Sequence, residues 1–325
     1  MEKLINETEY MYASAKIRAM ENRLPTKEML ERLVDCSAGE AEALLKERGI
    51  DIGDGGFDAT ASKLSSEYEE VAKSVPDSDI VKVFMCQYDC NNIKIAQKCA
   101  YRGIDPDGML FLCGSVPKSA VVKAVRENDF SAFPKNMAEA GKEAHKALSA
   151  TGNPQAVDML LDRACYLDML ELSKPYGGVF DWVKLKIDTL NALTCMRIMR
   201  MGGDAAEAML KESLLDGGDV PKTVFEKAFS KGEDALLSEL RYGKLARFAE
   251  KISAKSPLSV IEKAADDLFM EKVRETRFVS FGAQIPAAYL IALEYALKNV
   301  RMILAGKDAQ LDAETIRSKL RENYV

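Results

Sequence analysis

A five-residue element occurs twice in this chain, and its recurrence limits the folds that the chain can adopt. It reads Gly-Ser-Val-Pro-Lys from Gly114 and Gly-Asp-Val-Pro-Lys from Gly218, and in both copies Lys-Ala follows after four variable residues. The two prolines, Pro117 and Pro221, are 104 residues apart. This separation is close to the length of a small domain, so the pattern predicts a duplicated folding unit rather than a chance repetition of a turn.

Matching residues upstream extend both copies of the repeat. Each copy has an aspartate, an asparagine three residues later and a glycine fourteen residues after the aspartate: Asp89, Asn92 and Gly103 in the first, Asp188, Asn191 and Gly202 in the second. The second copy is five residues longer between its glycine and its proline. The extra residues are therefore expected to form an added turn between two matched helices.

A shorter third copy lies near the end of the sequence. Asn299 and Arg301 lead to Gly306, which follows the asparagine by seven residues rather than eleven. The Val-Pro-Lys element is replaced here by residues 311–316, where Asp312 is placed to cap a helix that does the same packing.

The three copies divide the chain into units of about 100 residues. The approximate bounds are residues 1–110, 111–215 and 216–325. The pattern also allows the units to interleave, so that the first and last helices of the chain lie in one domain.

Apolar residues recur at helical spacing almost throughout the sequence. Two clear stripes are Tyr10, Ala13, Ile17, Met20 and Leu24, and Ile80, Phe84, Tyr88, Asn92, Ile95 and Cys99. Ser37 and Glu40 have the spacing of a capping box, with Gly49 as the stop signal. Since no segment alternates with period two over a useful length, we predict an all-α fold, with a loop at the glycine-rich residues 53–56.

The repeated residues have structural interpretations that we favour over a ligand site. Glycine ends a helix, and proline fits a first helical turn in which Ser115 or Asp219 supplies the capping oxygen. An asparagine within an apolar stripe needs hydrogen-bond partners, because burying it unpaired costs about 1–3 kcal/mol. The three asparagines therefore predict one kind of internal brace that is used three times.

The charge pattern argues against a nucleic-acid partner, and the hydropathy pattern argues against a transmembrane helix. The formal net charge is −6 and no run of five like charges occurs, so we predict no nucleic-acid partner. The longest apolar run, residues 285–293, is far shorter than the roughly 18 residues of a transmembrane helix. The first ten residues do not read as a signal peptide, so we expect the protein to stay in the cytoplasm.

The seven cysteines indicate reduced thiols rather than a disulfide framework, because the number is odd and no Cys-x-x-Cys pair occurs. Cys86 and Cys90 share a predicted helix face, but neither Cys99 nor the single histidine, His145, completes a recognised metal spacing. We interpret these cysteines as buried apolar residues and predict no metal site.

Catalytic motifs are also missing from the sequence. There is no Walker A element, no complete Gly-x-Gly-x-x-Gly fingerprint and no second histidine for a His-Glu-x-x-His site. Asp266 and Asp267 supply two of the three carboxylates of an all-helical magnesium and diphosphate site, but Met270 stands where the third is needed. We interpret this stretch as an exposed helix face, and we predict no catalytic residue and no cofactor.

With these features in place, the chain resembles the C subunit of the bacterial and archaeal V-type ATPases, whose eukaryotic counterpart is the d subunit. The residues that carry the resemblance are Tyr10 to Glu21, Asp158 to Asp162 with Tyr166, Tyr289 through Glu294, Asn299 to Ile303, Gly306-Lys307, Ile316-Arg317, Leu320-Arg321 and Tyr324-Val325. The likeness rests on the order and spacing of many modest matches along the whole chain.

The resemblance implies a funnel of three similar helical domains with pseudo-threefold symmetry, which agrees with the repeat spacing. It also implies a non-catalytic central-stalk component of a rotary proton or sodium ATPase, on the cytoplasmic face of the membrane. Its partners would be the D and F subunits, which form the axle, and the proteolipid rotor ring. The resemblance assigns no individual residue to either contact.

Two other functions remain open from the residues alone. One is a free-standing all-α scaffold or protein-binding adaptor, although units of about 100 residues are too long for TPR, HEAT or ankyrin repeats. The other is an all-helical magnesium enzyme. Copurified partners and a requirement for a divalent metal would distinguish the three.

Overall fold

The computed structural model describes residues 5–51 and 56–325, and all regular secondary structure in these residues is helical. The all-α prediction is therefore confirmed. The predicted loop at residues 53–56 lies outside the described residues except for Gly56, where a helix begins.

The helices within the described residues are numbered in chain order. They are α1 (Met11–Met20), α2 (Lys27–Asp35), α3 (Ala38–Lys46), α4 (Gly56–Ala72), α5 (Asp79–Arg102), α6 (Lys118–Glu127), α7 (Lys135–Thr151), α8 (Pro154–Ser173), α9 (Gly177–Met201), α10 (Ala206–Ser213), α11 (Lys222–Phe229), α12 (Glu233–Leu240), α13 (Ala246–Lys251), α14 (Leu258–Arg274), α15 (Gln284–Asp308) and α16 (Ala313–Lys319). Short 3-10 helices lie at Glu7–Tyr10, Glu21–Arg23, Asp107–Met109 and Glu275–Phe278.

Three long helices, α5, α9 and α15, organise the fold. They have 24, 25 and 25 residues, and each follows a helix of 17 to 20 residues, namely α4, α8 and α14. Helix α8 packs on α5, α14 packs on α9, and α4 packs on α15, while α15 also contacts both α5 and α9. Each of the shorter helices thus packs on a second long helix besides the one that it precedes in sequence.

The predicted apolar stripes form much of the core. Tyr10, Ala13, Ile17, Met20 and Leu24 are all buried, and the stripe of α5 is buried except for the half-buried Ile95. The capping box at α3 is present, since Glu40 N donates to Ser37 Oγ and Ser37 N donates to Glu40 Oε2. Gly49 follows α3 with a φ of +71°.

The first and last helices of the described chain are joined to each other. Helices α1 and α2 pack on α15, and α2 also packs on α16. Lys307 Nζ in α15 donates to the carbonyls of Val34 (2.9 Å) and Cys36 (2.6 Å), which lie at the C-terminal end of α2. A cation at a helix C-terminus is favourable because the last carbonyls lack helical partners.

No helix within residues 5–51 and 56–325 combines the length and the hydropathy that a membrane crossing requires.

Candidate functional site: the ends of the three long helices

The three repeated asparagines make the same pair of hydrogen bonds. Each is buried in a long helix, donates from Nδ2 to a main-chain carbonyl and accepts the N–H of the same residue on Oδ1. Asn92 binds Phe111 (3.1 and 2.7 Å), Asn191 binds Leu215 (3.0 and 2.8 Å) and Asn299 binds Arg321 (3.0 and 2.9 Å). The side-chain amide thus replaces a missing main-chain partner where the loop after each long helix returns to it.

Buried aspartates anchor the repeated Gly-x-Val-Pro loops in the first two copies. Asp89 accepts Ser115 Oγ (2.5 Å) and Val116 N (3.2 Å). Asp188 accepts the main-chain N–H groups of Asp219 and Val220, both at 3.0 Å. The loop that leads into the next helix is therefore tied to the long helix one turn before the asparagine brace.

The glycines of this element allow the loop to approach the aspartate. A Cβ on Gly114 would lie 2.5 Å from Asp89 Oδ1, and a Cβ on Gly218 would overlap with Asp188 Oδ1. Any side chain at these positions would force the loop away from its carboxylate.

Pro117 and Pro221 occupy the N-cap positions of α6 and α11, and neither helix has a side-chain cap. The prediction that Ser115 or Asp219 caps these helices is wrong. Ser115 Oγ donates to Asp89 instead, and the Asp219 carboxylate binds Lys184 and Lys244. Ser115 donates to Asp89 because a buried carboxylate without a hydrogen-bond donor costs free energy, whereas water can bind the exposed N–H groups at the start of the helix.

Gly103 and Gly202 stand at the C-terminal caps of α5 and α9 with φ values of +67° and +63°. The prediction that Gly306 ends α15 in the same way is wrong, because this helix continues to Asp308. A Cβ on Gly306 would lie 2.8 Å from Ile316 Cγ1, so this glycine permits the close packing of α16.

Gln310 takes the left-handed position in the third copy. It follows Asn299 by eleven residues, as the glycines do in the other copies, and its φ is +55°. Leu311 N donates to Gly306 O (2.9 Å) in the way that Ile104 N donates to Cys99 O (2.9 Å) after α5. A non-glycine residue in this conformation carries a steric cost, of about 1 kcal/mol.

Helix α16 does not replace the Val-Pro-Lys helix in the third copy. It begins after Asp312, which caps it by accepting Thr315 N (2.8 Å), but it ends before the braced residue Arg321. Helix α10 has this same place in the second copy, before Leu215. The alignment of residues 311–316 with the Val-Pro-Lys element is therefore wrong, because the residue equivalent to the helix-end glycines is Gln310 and not Gly306.

The interpretation of Asp266 and Asp267 as an exposed helix face is also wrong. Asp267 is buried, and it accepts Glu322 N (2.7 Å) and Lys263 Nζ (2.6 Å). Asp266 binds Lys298 Nζ (2.7 Å) and Arg321 Nε (3.0 Å). Burial would raise the pKa of Asp266, but these two cations hold it below its ordinary value. Both carboxylates thus hold the chain after α16 in place.

Arg301 is half-buried in α15. Its charge acts on the Cys113 thiol, whose pKa is raised to about 12 by burial and by Glu294, with Arg301 opposing the shift. This arginine therefore lies where α15 faces the loop that follows α5.

Burial raises the pKa of three aspartates that accept main-chain N–H groups, namely Asp89, Asp168 and Asp188. The pKa of Asp188 is raised to about 6 by burial, against the opposing effect of the N–H groups of Val220 and Asp219. Burial also raises the pKa of Asp89, and of Asp168, which accepts Asn136 N (3.0 Å) and Met137 N (2.8 Å) at the start of α7.

The N-terminal ends of the three long helices meet in a region that we call the closed end, around Tyr10, Asp77, Tyr176, Gly178 and Gln284. Burial and the Asp77 charge raise the pKa of Tyr176, which places the loop before α5 beside the start of α9. The Gln284 side chain at the start of α15 fills the space in which a Cβ on Gly178 of α9 would stand.

The C-terminal ends of the long helices are held by different neighbours. Lys98 in α5 binds Asp158 in α8 (2.5 Å), and Arg200 in α9 binds both carboxylate oxygens of Glu233 in α12 (2.7 and 2.8 Å). In α15 the corresponding cation is Lys307, at the end of α2. Each end is thus fixed to its own surroundings by charged groups.

A groove of about 420 Å³ lies near one of these ends, between α8, α9 and α10. Its apolar lining includes Met159, Leu190, Ile198, Met201 and Met209. Methionine adapts to differently shaped partners because its side chain is unbranched and flexible. Charged residues share the lining, among them Asp158, Arg163 and Glu212, so the groove presents apolar and charged side chains together.

Clusters of metal-ligating side chains and the state of the cysteines complete the description of the site. Within it, no group of three or more His, Cys, Asp and Glu side chains could hold a metal ion. The cysteines are free thiols, and all are buried except the half-buried Cys36, which confirms their interpretation as core residues.

Sequence reasoning missed three functional features of these ends. They are the left-handed conformation of Gln310, and the anchoring roles of Asp168 and Asp267, whose main-chain partners lie 31 and 55 residues away along the chain. The signals that could have located them are the fixed spacing of eleven residues after each asparagine and the carboxylates within apolar helix faces.

Comparison with known proteins places this helical architecture in a class. The family model described as ATP synthase (C/AC39) subunit matches residues 13–319, and the chain belongs to that family. It is therefore a component of a rotary ATPase of the V or A type.

Full-length relatives agree with this assignment. The C subunit of the V-type sodium ATPase of Enterococcus hirae is 20% identical over 328 residues, covering 97% of this chain and 99% of the relative. The C subunit of the A-type ATP synthase of Thermococcus kodakarensis is 24% identical and covers 97% of this chain and 91% of the relative. The C subunit of the A-type ATP synthase of Methanocaldococcus jannaschii is also 24% identical, with 98% of this chain and 87% of the relative covered.

Proposed function

We propose that this chain is the non-catalytic central-stalk component that couples the rotating axle, formed by the D and F subunits, to the proteolipid ring of a rotary ATPase. In this role it works on the cytoplasmic side of the membrane and supports ATP-driven or ATP-forming transport of protons or sodium ions. The family match over residues 13–319 is the observation that carries the proposal.

The arrangement of the long helices supports a socket. Their N-terminal ends meet at the closed end, whereas their C-terminal ends are held by separate sets of neighbours. Three such units around a common axis would form a funnel that is narrow at the closed end. We propose that the axle enters from the C-terminal ends, where the groove of α8, α9 and α10 offers a surface of mixed apolar and charged side chains.

The asparagine braces support the transmission of torque. A coupling component must not bend when one partner turns against the resistance of the other. Each brace fixes the loop after a long helix with two hydrogen bonds, and the first two loops are also held by a buried aspartate. Close-packed helices with few free main-chain groups resist deformation.

Copurification tests the proposal against the scaffold alternative. A tagged copy of the chain should bring down the axle and ring proteins from solubilised membranes, and the complex should fall apart into two sectors in cells that lack the chain. Recovery of an intact ATPase without the chain would contradict the proposal, and capture of unrelated proteins alone would favour the scaffold.

Cross-linking tests the position of the axle. The native cysteines are mostly buried, so a cysteine introduced at the exposed Met201 or Leu311 can be labelled selectively. We expect cross-links from these positions to the axle proteins. A matched cysteine at the exposed Val122, on α6, should give none.

A further inference from the structure

We propose that three unlike residues at one level of the long helices, Gln87, Lys186 and Glu294, allow the axle to bind in one rotational setting and not in the other two that three similar units offer. This inference rests on the proposed function, because it concerns how the proposed socket holds one of its two partners. A link that transmits rotation needs such a setting, because an axle that slips by a third of a turn would lose part of each rotation.

The three residues occupy the same position in the three copies of the repeat. Each lies five residues before the asparagine that forms the brace of its long helix. The pairs are Gln87 and Asn92, Lys186 and Asn191, and Glu294 and Asn299. Each of the three residues is half-buried, whereas the residues on either side of it in the sequence are buried. Because the helices carry the same brace, these equivalent positions lie at the same level of the three helices.

Side-chain contacts join this level of the three helices. Lys186 Nζ in α9 donates to Gln87 Oε1 in α5 (3.4 Å). The same ammonium lies 5.1 Å from the centre of the Phe269 ring in α14, and that ring lies 6.1 Å from the Tyr295 ring in α15. Tyr295 directly follows Glu294, so the level that Gln87 and Lys186 share also includes the third helix.

Each of the three side chains also has an aromatic neighbour on the shorter helix that packs on its long helix. Gln87 Nε2 donates to Tyr166 Oη of α8 (3.3 Å), and the ring beside Lys186 belongs to α14. For Glu294 the neighbour is Tyr68 of α4, whose pKa is raised by burial and by the Glu294 charge. The three side chains therefore have similar surroundings and differ mainly in their charge.

Lys186 and Glu294 form no ion pair with the residues that the structure describes. Lys298, one helical turn after Glu294, does have a partner, since its Nζ lies 2.7 Å from Asp266 Oδ2. The amide and the aromatic ring beside Lys186 compensate the partial burial of its charge only in part. A carboxylate from a bound partner would complete the compensation at Lys186, and a cation from that partner would do the same at Glu294.

The order of charges at this level makes the three rotational settings unequal. A partner that places an acidic side chain at Lys186 and a basic side chain at Glu294 satisfies both groups. Turning this partner by a third of a turn brings either its acidic side chain to Glu294 or its basic side chain to Lys186, and like charges repel. Charge complementarity of this kind determines orientation more than total affinity.

Cross-linking of the purified full-length chain to the purified axle measures the rotational setting. Cysteines are introduced one at a time at the exposed Ile104, Met201 and Leu311, each near the end of a different long helix, and are paired with one cysteine on the axle. With the interior unchanged, one of the three positions should give at least about tenfold more product than either of the others. An even distribution over the three positions would overturn the inference.

Exchanging the two charges tests whether they determine the setting. Lys186→Glu combined with Glu294→Lys keeps the net charge, and the preferred cross-link should move to one of the other two positions. The matched control, Lys123→Glu combined with Glu127→Lys, exchanges an exposed pair on α6 and should leave the preference unchanged. If the exchanged variant has the unfolding curve of the parent and keeps its preferred cross-link, the inference is wrong.

A milder substitution keeps the inference testable if the exchanged variant does not fold. Lys186→Gln removes the charge and places an amide there, as in the first copy of the repeat. The axle should bind this variant about tenfold more weakly, and binding should depend less on salt because one ion pair is lost. Unchanged affinity together with unchanged salt dependence would show that no carboxylate of the axle meets Lys186, and would overturn the inference.

The outcomes separate this inference from the proposed function. If the unchanged chain binds the axle but the setting does not respond to the two charges, the orientation rule is wrong and the coupling role stands. If the unchanged chain does not bind the axle at all, the proposed function fails.

Discussion

Asn191 holds the main chain of Leu215 from both sides, with Nδ2 donating to its carbonyl at 3.0 Å and Oδ1 accepting its N–H at 2.8 Å. Replacement by leucine should lower the free energy of unfolding by about 2–4 kcal/mol, because two main-chain groups in a partly buried segment lose their partner. Urea unfolding of the isolated chain measures this loss.

A second asparagine, Asn22, provides the control for the Asn191 variant. Asn22 is exposed and its side chain donates only to Ala19 O, so Asn22→Leu should change stability by about 0.5 kcal/mol or less. Asn191→Asp should fall between the two, because the carboxylate still accepts the Leu215 N–H but cannot donate to its carbonyl. Equal stability of the Asn191 and Asn22 leucine variants would refute the brace.

Gln310 is expected to be a site of backbone strain. Gln310→Gly should raise the free energy of unfolding by about 0.5–1 kcal/mol, because glycine takes a φ of +55° without steric cost. Ala305→Gly, at an exposed position of α15, should instead lower stability by about 1 kcal/mol. Thermal unfolding compares the two, and destabilisation by both would show that Gln310 is not strained.

Gly218 is expected to tolerate no side chain. Gly218→Ala should lower stability by about 1–3 kcal/mol, because its Cβ would overlap with Asp188 Oδ1 and push the loop away. Gly39→Ala in α3 has open space around its Cβ and should raise stability by up to about 1 kcal/mol. Hydrogen exchange at Asp219 and Val220 should speed up in the first variant only.

Asp188 should make stability depend on pH between about 4 and 6. Its folded-state pKa is raised to about 6 by burial, so in this window the folded chain holds a proton that the unfolded chain has released. Its contribution to stability is therefore present below the ordinary aspartate pKa and is lost as pH rises through about 6. The free energy of unfolding of Asp188→Asn should therefore decline less over this pH window than that of the unchanged chain.

Asp129, which is exposed, should make stability depend on pH with the opposite sign. The hydrogen bonds from Ser131 lower the pKa of Asp129, so its contribution to stability is lost as pH falls. Asp129→Asn should change the pH dependence in the opposite direction to Asp188→Asn. A parallel change in both variants would exclude the raised pKa of Asp188.

The sequence contained enough information to predict the helices but not all of their ends. The stripe from Tyr10 to Leu24 and the capping box at Ser37 are local patterns, and both are present in the structure. The prediction for Gly306 was wrong because glycine at a close helix crossing and glycine at a helix end look alike in a sequence. Gln310 gave no signal because a left-handed conformation is unexpected for this residue type.

The site could be predicted only in part for a similar reason. Asn92 and Asn299 stood out because an amide within an apolar stripe requires partners, yet the partners themselves lie 19 and 22 residues away in irregular segments. The carboxylate of Asp267 has the sequence pattern of an exposed acidic face, and only its bond to Glu322 N reveals its role. The spacing of residues in the sequence predicts helices through their periodicity. It does not predict these contacts, because they depend on the path by which each loop returns to its helix.

ATP-driven ion transport by membranes from which this chain has been removed and then added back tests the coupling role most directly. The account predicts that the catalytic sector still hydrolyses ATP without the chain, that transport stops, and that purified chain restores it. Transport that continues at its full rate in the absence of the chain would contradict a role as the link between axle and ring.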